Sequence, residues 1–295
     1  MSEARSVGTV AELWRFPVKS MAGERVETAE LTAGGLVGDR AYALIDAETG
    51  KVVSAKSVRL FPGILSCRAT FLEAPRAGAP PPPVAIDLPG GVRVISGEPG
   101  ADEALSAYFG RRVRLIDAAP GDFTIDEHRA DIEGADPAGH RDLTLPQKLG
   151  AALFADLGAP SPVSASALFD VFPMSVITTS TLRRLAEAAP GSRIDRRRFR
   201  MNIVVETAEV GFVENGWVGR RLSIGAGALS VAMLDPRCVM TTLAQEDLPE
   251  DLEVLRALVQ HNRLPVFPGR FYPCAGVYAV VASAGTLRIG DAVAA

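Results

Sequence analysis

Short apolar runs broken by turn signals dominate the first 120 residues, a pattern that predicts strands rather than helices. Predicted strands are Val7–Phe16, Arg25–Leu31 and Arg40–Ile45, and Glu48-Thr49-Gly50 turns the chain into another at Lys51–Ser54. The pattern resumes at Ile64–Phe71. Val84–Leu88 and Val92–Ile95, joined by Pro89-Gly90-Gly91, have the form of a hairpin. Ala74–Pro83 is too rich in Pro, Ala and Gly to be a central strand or helix, and is expected as an exposed hairpin insertion. Ala101–Phe109 should be a short helix, followed by a strand at Arg112–Ile116. Ala118–Pro162 is polar and irregular, the pattern of a linker, a mobile loop or a lid over a site.

The apolar pattern returns at Ser175–Thr178. Ser180 is the expected N-cap of a helix over Thr181–Ala188, which Pro190-Gly191 stops. Phe199–Glu206 is a further predicted strand. Trp217–Ile224 and Ala228–Leu234 flank a glycine turn. Leu252, Leu255 and Leu258 form a helical stripe, and Val277–Ala282 with Thr286–Ile289 form an expected closing hairpin. The fold class expected is mainly β with a few helices (α+β), built as two barrel-like β domains. These would span 1–120 and 121–295, with 121–165 as linker or lid.

Hydrophobic content of 47% and charged content of 22% are those of an ordinary globular protein. No apolar run reaches the ~20 residues a membrane span needs, and the N-terminus lacks the apolar core of a signal peptide. A cytoplasmic location and no membrane anchor are therefore expected. The net charge of −4 disfavours a general nucleic-acid binder. Cys67, Cys238 and Cys274 form no CxxC pair, and His128, His140 and His261 form no HExxH pattern. Any bound metal must manage with one thiolate and non-protein ligands.

Two groups of residues carry candidate chemistry. Asp235-Pro236-Arg237-Cys238-Val239-Met240-Thr241-Thr242 places a cysteine after an arginine, where a guanidinium would favour the thiolate. Thr241 and Thr242 add hydroxyls. On residue chemistry alone, such a cysteine is more often a small buried hydrophobe. The second group is basic: Lys19-Ser20, Gly38-Asp39-Arg40, and Arg200 with Asn202. Arginine forks and a lysine suit phosphate, and unrelated surface charges are the alternative. If Arg196–Asn202 is an extended strand, Arg196, Arg198, Arg200 and Asn202 share one face.

At these residues the sequence resembles the MOSC-domain proteins that carry a MOSC N-terminal β-barrel domain. It is similar to the mitochondrial amidoxime-reducing components and their bacterial relatives. In the first half the likeness rests on Phe16-Pro17-Val18-Lys19-Ser20, Gly38-Asp39-Arg40, and Val53-Ser54-Ala55-Lys56 followed by Arg59-Leu60. In the second it rests on Asp170 with Pro173, Ser180–Leu182, Phe199–Ile203, Trp217–Gly225, Arg237–Thr242 and Gly285–Asp291.

The resemblance implies a molybdenum cofactor (Mo-molybdopterin) bound through Cys238 as metal ligand and catalytic residue. It implies that Lys19, Ser20, Arg40, Ser54 and Lys56, with Arg200, Asn202, Arg237 and Thr241, hold its phosphate and pterin. Asp170 would lie near the metal and move a proton. The implied activity is reduction of N-hydroxylated small molecules such as amidoximes and hydroxylamines. Chemistry agrees: the pterin phosphate is anionic, and its dithiolene leaves one soft position for a thiolate. Departures are a lysine, Lys56, where the mitochondrial proteins have arginine, and Pro236 before Arg237. The chain lacks the cysteine cluster of a ferredoxin-like tail, so electrons would come from a separate ferredoxin- or cytochrome-type protein with its reductase. The alternative function is a carrier of molybdenum cofactor or sulfur without turnover. A third, pyridoxal phosphate on Lys19, has no other feature in its favour.

Overall fold

The computed structural model describes residues 5–295. Residues 1–4, the start of the segment weighed above as a leader, lie outside the described residues. Seven strands close a barrel in the order Met174–Thr178, Ile203–Glu206, Ser6–Arg15, Ala292–Ala294, Arg221–Ile224, Gly227–Pro236 and Arg270–Ser283, which returns to Met174–Thr178. Closure removes the unpaired edges that an open sheet would expose. Alternate positions face inward, as a two-residue period requires: Ile203 and Val205, Leu222 and Ile224, Leu229 and Val231, Val277 and Ala279. Burying each such aliphatic side chain contributes roughly 1.5–3 kcal/mol. Smaller sheets surround the barrel, including Arg68–Phe71 with Val84–Asp87 and Arg93–Ile95. With four α-helices among the described residues, the first of them Ala101–Phe109 (α1), the protein is mainly β with a few helices.

The first strand, Ser6–Arg15, lies inside the barrel of the C-terminal half. It pairs with Ile203–Glu206 and Ala292–Ala294. The chain then leaves at Phe16 and enters a second core around Val18, Met21, Leu44, Ile86 and Leu105. Residues Phe16–Ser20 therefore bridge the two halves.

Several local expectations fail for physical reasons. Ala118–Pro162 is ordered: Thr124–Arg129 and Leu143–Lys148 form an antiparallel hairpin, and Gly150–Asp156 is a helix, α2. Phe123, Ile125 and Leu149 bury there against Ala43, Val52 and Leu168. The Thr179–Ala188 helix, α3, is capped by Thr178, whose hydroxyl accepts from Thr181 N at 3.1 Å. Ser180 is the second residue of the helix and donates to the Gly211 carbonyl. Arg196–Arg198 is a 3-10 turn and only Ile203–Glu206 is strand. Arg196 reaches Glu12, and the buried Arg198 donates to the carbonyls of Arg193, Leu243 and Pro249. They do not share a face with Arg200. Lys51–Ser54 makes only a bridge through Val52, and Ile64–Ser66 is a 3-10 turn before its strand. Val213–Trp217 is likewise a 3-10 turn, so that strand begins at Arg221. The expected closing hairpin does not form, because Gly285–Arg288 pairs with Thr28–Thr32 instead. No helix among the described residues is long and apolar enough to cross a membrane.

Glu214 is fully buried beside α3 and accepts from the Thr178 and Thr181 hydroxyls at 2.7 Å each. Its Oε1 has no partner, and burial raises its pKa. A raised folded pKa favours the protonated fold, so this group's contribution is greatest below the unfolded value of about 4.3 and is lost as pH rises. Glu214→Gln should therefore stabilise by about 1 kcal/mol at pH 8, with the gain vanishing near pH 4. Urea titrations of both proteins across that range check this; a gain independent of pH would contradict it.

Candidate functional site

A cleft between the two halves is lined by five cations, Lys19, Arg40, Lys56, Arg200 and Arg237, together with Ser20, Asp170, Asn202, Asp235, Cys238 and Tyr278. The first strand delivers Lys19. Its ammonium pairs with Asp170, donates to the Leu168 carbonyl at 2.9 Å and lies 5.1 Å from the Phe123 ring. Ser20 follows in the left-handed region at φ 67, and its hydroxyl accepts from Ala55 N at 3.0 Å. That bond fixes the turn carrying Lys56, which pairs with Asp170 at 2.8 Å and lies 3.9 Å from Glu127.

Gly38 takes φ 83, and a Cβ there would come within 2.7 Å of Pro75 and 2.8 Å of Phe71. Only glycine lets the chain turn so close to its neighbours. Asp39 then accepts from Phe16 N and from Asn202 Nδ2, each at 2.8 Å, and pairs with Arg40. Asn202 in turn accepts from Ser175 N and Oγ. This chain of hydrogen bonds fastens the Gly38–Arg40 turn to the barrel. Arg40 and Arg200 both lie over the Phe16 ring, at 4.5 and 4.4 Å. Each also has positive φ, 48 and 56. With Ser20, they are three of the five non-glycine residues with positive φ among those described. Such backbone costs roughly 1–3 kcal/mol per residue and clusters at functional sites.

The charges do not balance inside the cleft. Arg200 donates to the Met21 carbonyl, and burial followed by repulsion from Arg40 pulls its pKa down to about 9. Burial pushes Asp170 upward, yet Lys19 and Lys56 hold it well below the carboxylate range. Burial pulls Lys56 downward, but Asp170 and Glu127 keep it well above its ordinary value. Burial lifts the Cys238 thiol pKa, against the pull of Lys56 and, more weakly, Arg237. The adjacent guanidinium does pull toward the thiolate, as expected, but burial outweighs it. Arg237 is committed to Asp235 at 2.5 Å and to the Phe199 carbonyl at 2.7 Å.

Cys238, Asp170, Lys19, Ser20, Arg40, Lys56, Arg200, Asn202 and Arg237 all line this one cleft. Ser54 and Thr241 do not. Ser54 Oγ accepts from Lys56 N at 3.2 Å, and Thr241 Oγ donates to the Cys238 carbonyl at 3.1 Å. Both shape the backbone that presents a lining residue. Thr242 likewise donates to the Val239 carbonyl. Cys67 and Cys274 are buried away from the lining, with thiols pushed up to about 11 and about 12 by burial.

Sequence reasoning missed Asp39, Asp235 and Tyr278. Both aspartates sit within motifs it singled out, next to the cations they hold. Tyr278 carried no local signal, because its place follows from pairing opposite Ser175 and Met233 in the barrel. Buried Asp235 Oδ1 and Arg237 Nε have no partner, and burial pushes Asp235 up to about 6 despite Arg237.

Closed barrel and basic cleft together belong to a known class: this is a MOSC-domain protein. The MOSC N-terminal beta barrel domain matches residues 7–74 and the MOSC domain residues 165–294. Within that class the chain is similar to mitochondrial amidoxime-reducing component 1 of Homo sapiens, 26% identical over 314 residues, spanning 98% of this chain and 83% of that protein. It is similar also to mitochondrial amidoxime reducing component 2 of Bos taurus, 27% identical over 98% of this chain and 83% of that one. The crystal structure of the YUAD protein from Bacillus subtilis aligns over 99% of this chain and 97% of that chain, at 11% identity and a TM-score of 0.44.

Asp170 neutralises two buried ammonium groups at once, so Asp170→Asn should destabilise the protein by about 3–5 kcal/mol at pH 7. Its depressed folded pKa gives stability that is present above the unfolded value of about 3.9 and lost as pH falls toward the folded value. The deficit should shrink below pH 4. Denaturant titrations at pH 7 and pH 3 measure both; an equal deficit at the two pH values would contradict the assignment.

Proposed function

We propose that the cleft holds a molybdenum cofactor with Cys238 as the protein ligand to the metal. We further propose that the protein reduces N-hydroxylated small molecules with electrons from a separate electron-transfer protein. The observation that carries this reading is one thiol on a cleft where cations from both halves outnumber the carboxylates. The residues fit the group in three ways. The cations exceed their partners, as a phosphate-bearing pterin requires. The unpartnered Arg237 Nε and Asp235 Oδ1 offer a donor and an acceptor for pterin nitrogens. Among the described residues no group of three or more His, Cys, Asp or Glu is arranged to hold a metal, which suits a metal brought in by its own organic ligand.

When bound, the cofactor supplies two-electron chemistry. Lys19, Arg40 and Arg200 would bind the phosphate, and Asn202 with Ser20 orients the surrounding turns. Reduction of an N–OH bond consumes two electrons and two protons and releases water. Asp170 is held ionised by two lysines, so it anchors Lys19 and Lys56 and is not itself the proton donor. That revises the role the resemblance suggested. Lys56 Nζ, on the cleft beside Cys238, is the proton-bearing group next to the reacting position. Lys19 Nζ is held by Asp170 and the Leu168 carbonyl, with its third N–H left for the phosphate.

Protein isolated from a molybdenum-replete host should carry near-stoichiometric molybdenum and oxidise reduced benzyl viologen when benzamidoxime or hydroxylamine is added. Cys238→Ala should abolish that turnover, and Arg200→Gln should lower molybdenum content. Molybdenum without turnover on any N-hydroxylated compound would support a carrier instead. Full activity in Cys238→Ala would defeat the ligand assignment.

A further inference from the structure

A second cavity, of about 520 Å³, opens onto the same cysteine. It shares Lys56, Asp170, Val171, Arg237, Cys238 and Tyr278 with the cleft, so the two spaces meet at the proposed metal position. Their walls differ in kind. The cleft is lined by ionic groups in surplus. Beyond Cys238 the second cavity is walled by Leu149, Leu153, Leu157, Met233, Phe267 and Tyr272. The three leucines come from the hairpin–helix segment: Leu153 lies in α2, and Leu149 and Leu157 are its N- and C-cap residues. Phe267 and Tyr272, at the opposite wall, meet edge to face at 6.1 Å. Leu157 and Phe267 are exposed and stand at the rim.

Most charges on this second cavity are paired. Glu127 lies 3.2 Å from Arg129, and Arg129 lies 3.1 Å from Asp136. Lys56 is answered by Asp170, and Arg237 by Asp235. Only Arg270, on the exposed rim, has no ion pair among the described residues. A volume of this size accepts a ring-bearing small molecule, and an apolar wall beside charges that are mostly paired favours an uncharged one.

Resting on the reading of the cleft as the cofactor site, the geometry points to this cavity as the substrate chamber. It takes an uncharged N-hydroxylated compound with a ring-sized apolar body. The N–OH head lies at Cys238 and Lys56, and the body lies against the leucines of α2 and its caps and the Phe267–Tyr272 pair. Leu153 and Phe267 are then specificity-determining residues, and the segment 124–157 sets the substrate range.

The test is calorimetric titration of benzamidoxime into the purified protein, which needs no turnover. Leu153→Trp fills the chamber and Phe267→Ser removes one wall without adding bulk. Each should weaken binding about tenfold or more, with melting curves reporting that the variants fold. In viologen assays, the ratio of kcat/KM for benzamidoxime to that for hydroxylamine should fall about tenfold in Leu153→Trp. Unchanged binding in both variants, or no binding to the parent protein at millimolar concentration, overturns the chamber. Binding that follows the prediction in a molybdenum-loaded protein without turnover keeps the chamber and defeats the reductase reading.

Discussion

Five cations share one buried cleft with Asp170 and Asp235 on its lining and Asp39 behind Arg40. Everything else about the site follows from holding them there. Uncompensated buried charge costs several kcal/mol per group, and the left-handed backbone at Ser20, Arg40 and Arg200 adds to it. Cation–π contacts to Phe16 and carbonyl acceptors at Met21 and Leu168 offset part of that cost. The remainder is borne by the packed barrel and the second core. A polyanion entering the cleft would relieve it and would thereby stabilise the fold.

Topology makes this possible. The first strand is a member of the barrel that the C-terminal half otherwise builds, and its continuation carries Lys19 and Ser20 into the other half. On the facing side, the pairing of Gly227–Pro236 with Arg270–Ser283 is irregular between Leu234 and Pro236. The strand ends just beyond it, where Arg237 N still donates to the Pro273 carbonyl at 2.7 Å, and Arg237 and Cys238 line the cleft. Register irregularities of this kind re-aim side chains beside active sites. The segment that joins the halves thus also supplies residues of the cleft.

Much of this was legible in the sequence. Alternating apolar residues and turn dipeptides marked the Val84–Ile95 hairpin, the helix after it and the barrel strand at Ser175–Thr178. Motifs marked nine residues that share the cleft. Three kinds of feature were not legible. Arg200 takes a left-handed backbone that nothing about arginine signals, so Phe199–Asn202 looked extended. The polar face of the Thr124–Lys148 hairpin hid an ordered segment whose few apolar residues bury against Ala43 and Val52. Ser54 and Thr241 looked like ligand donors because a hydroxyl in a motif does not reveal whether backbone takes it first. In each case tertiary packing outweighed local propensity.

The central claim is that the sulfur of Cys238 is bonded to a metal whose organic ligand is held by cations from both halves. X-ray absorption at the molybdenum edge, comparing the protein with Cys238→Ala reconstituted to equal molybdenum content, addresses that bond directly. The account predicts that the variant keeps its metal-bound dithiolene and loses one sulfur neighbour. An identical sulfur count in the two proteins would contradict it.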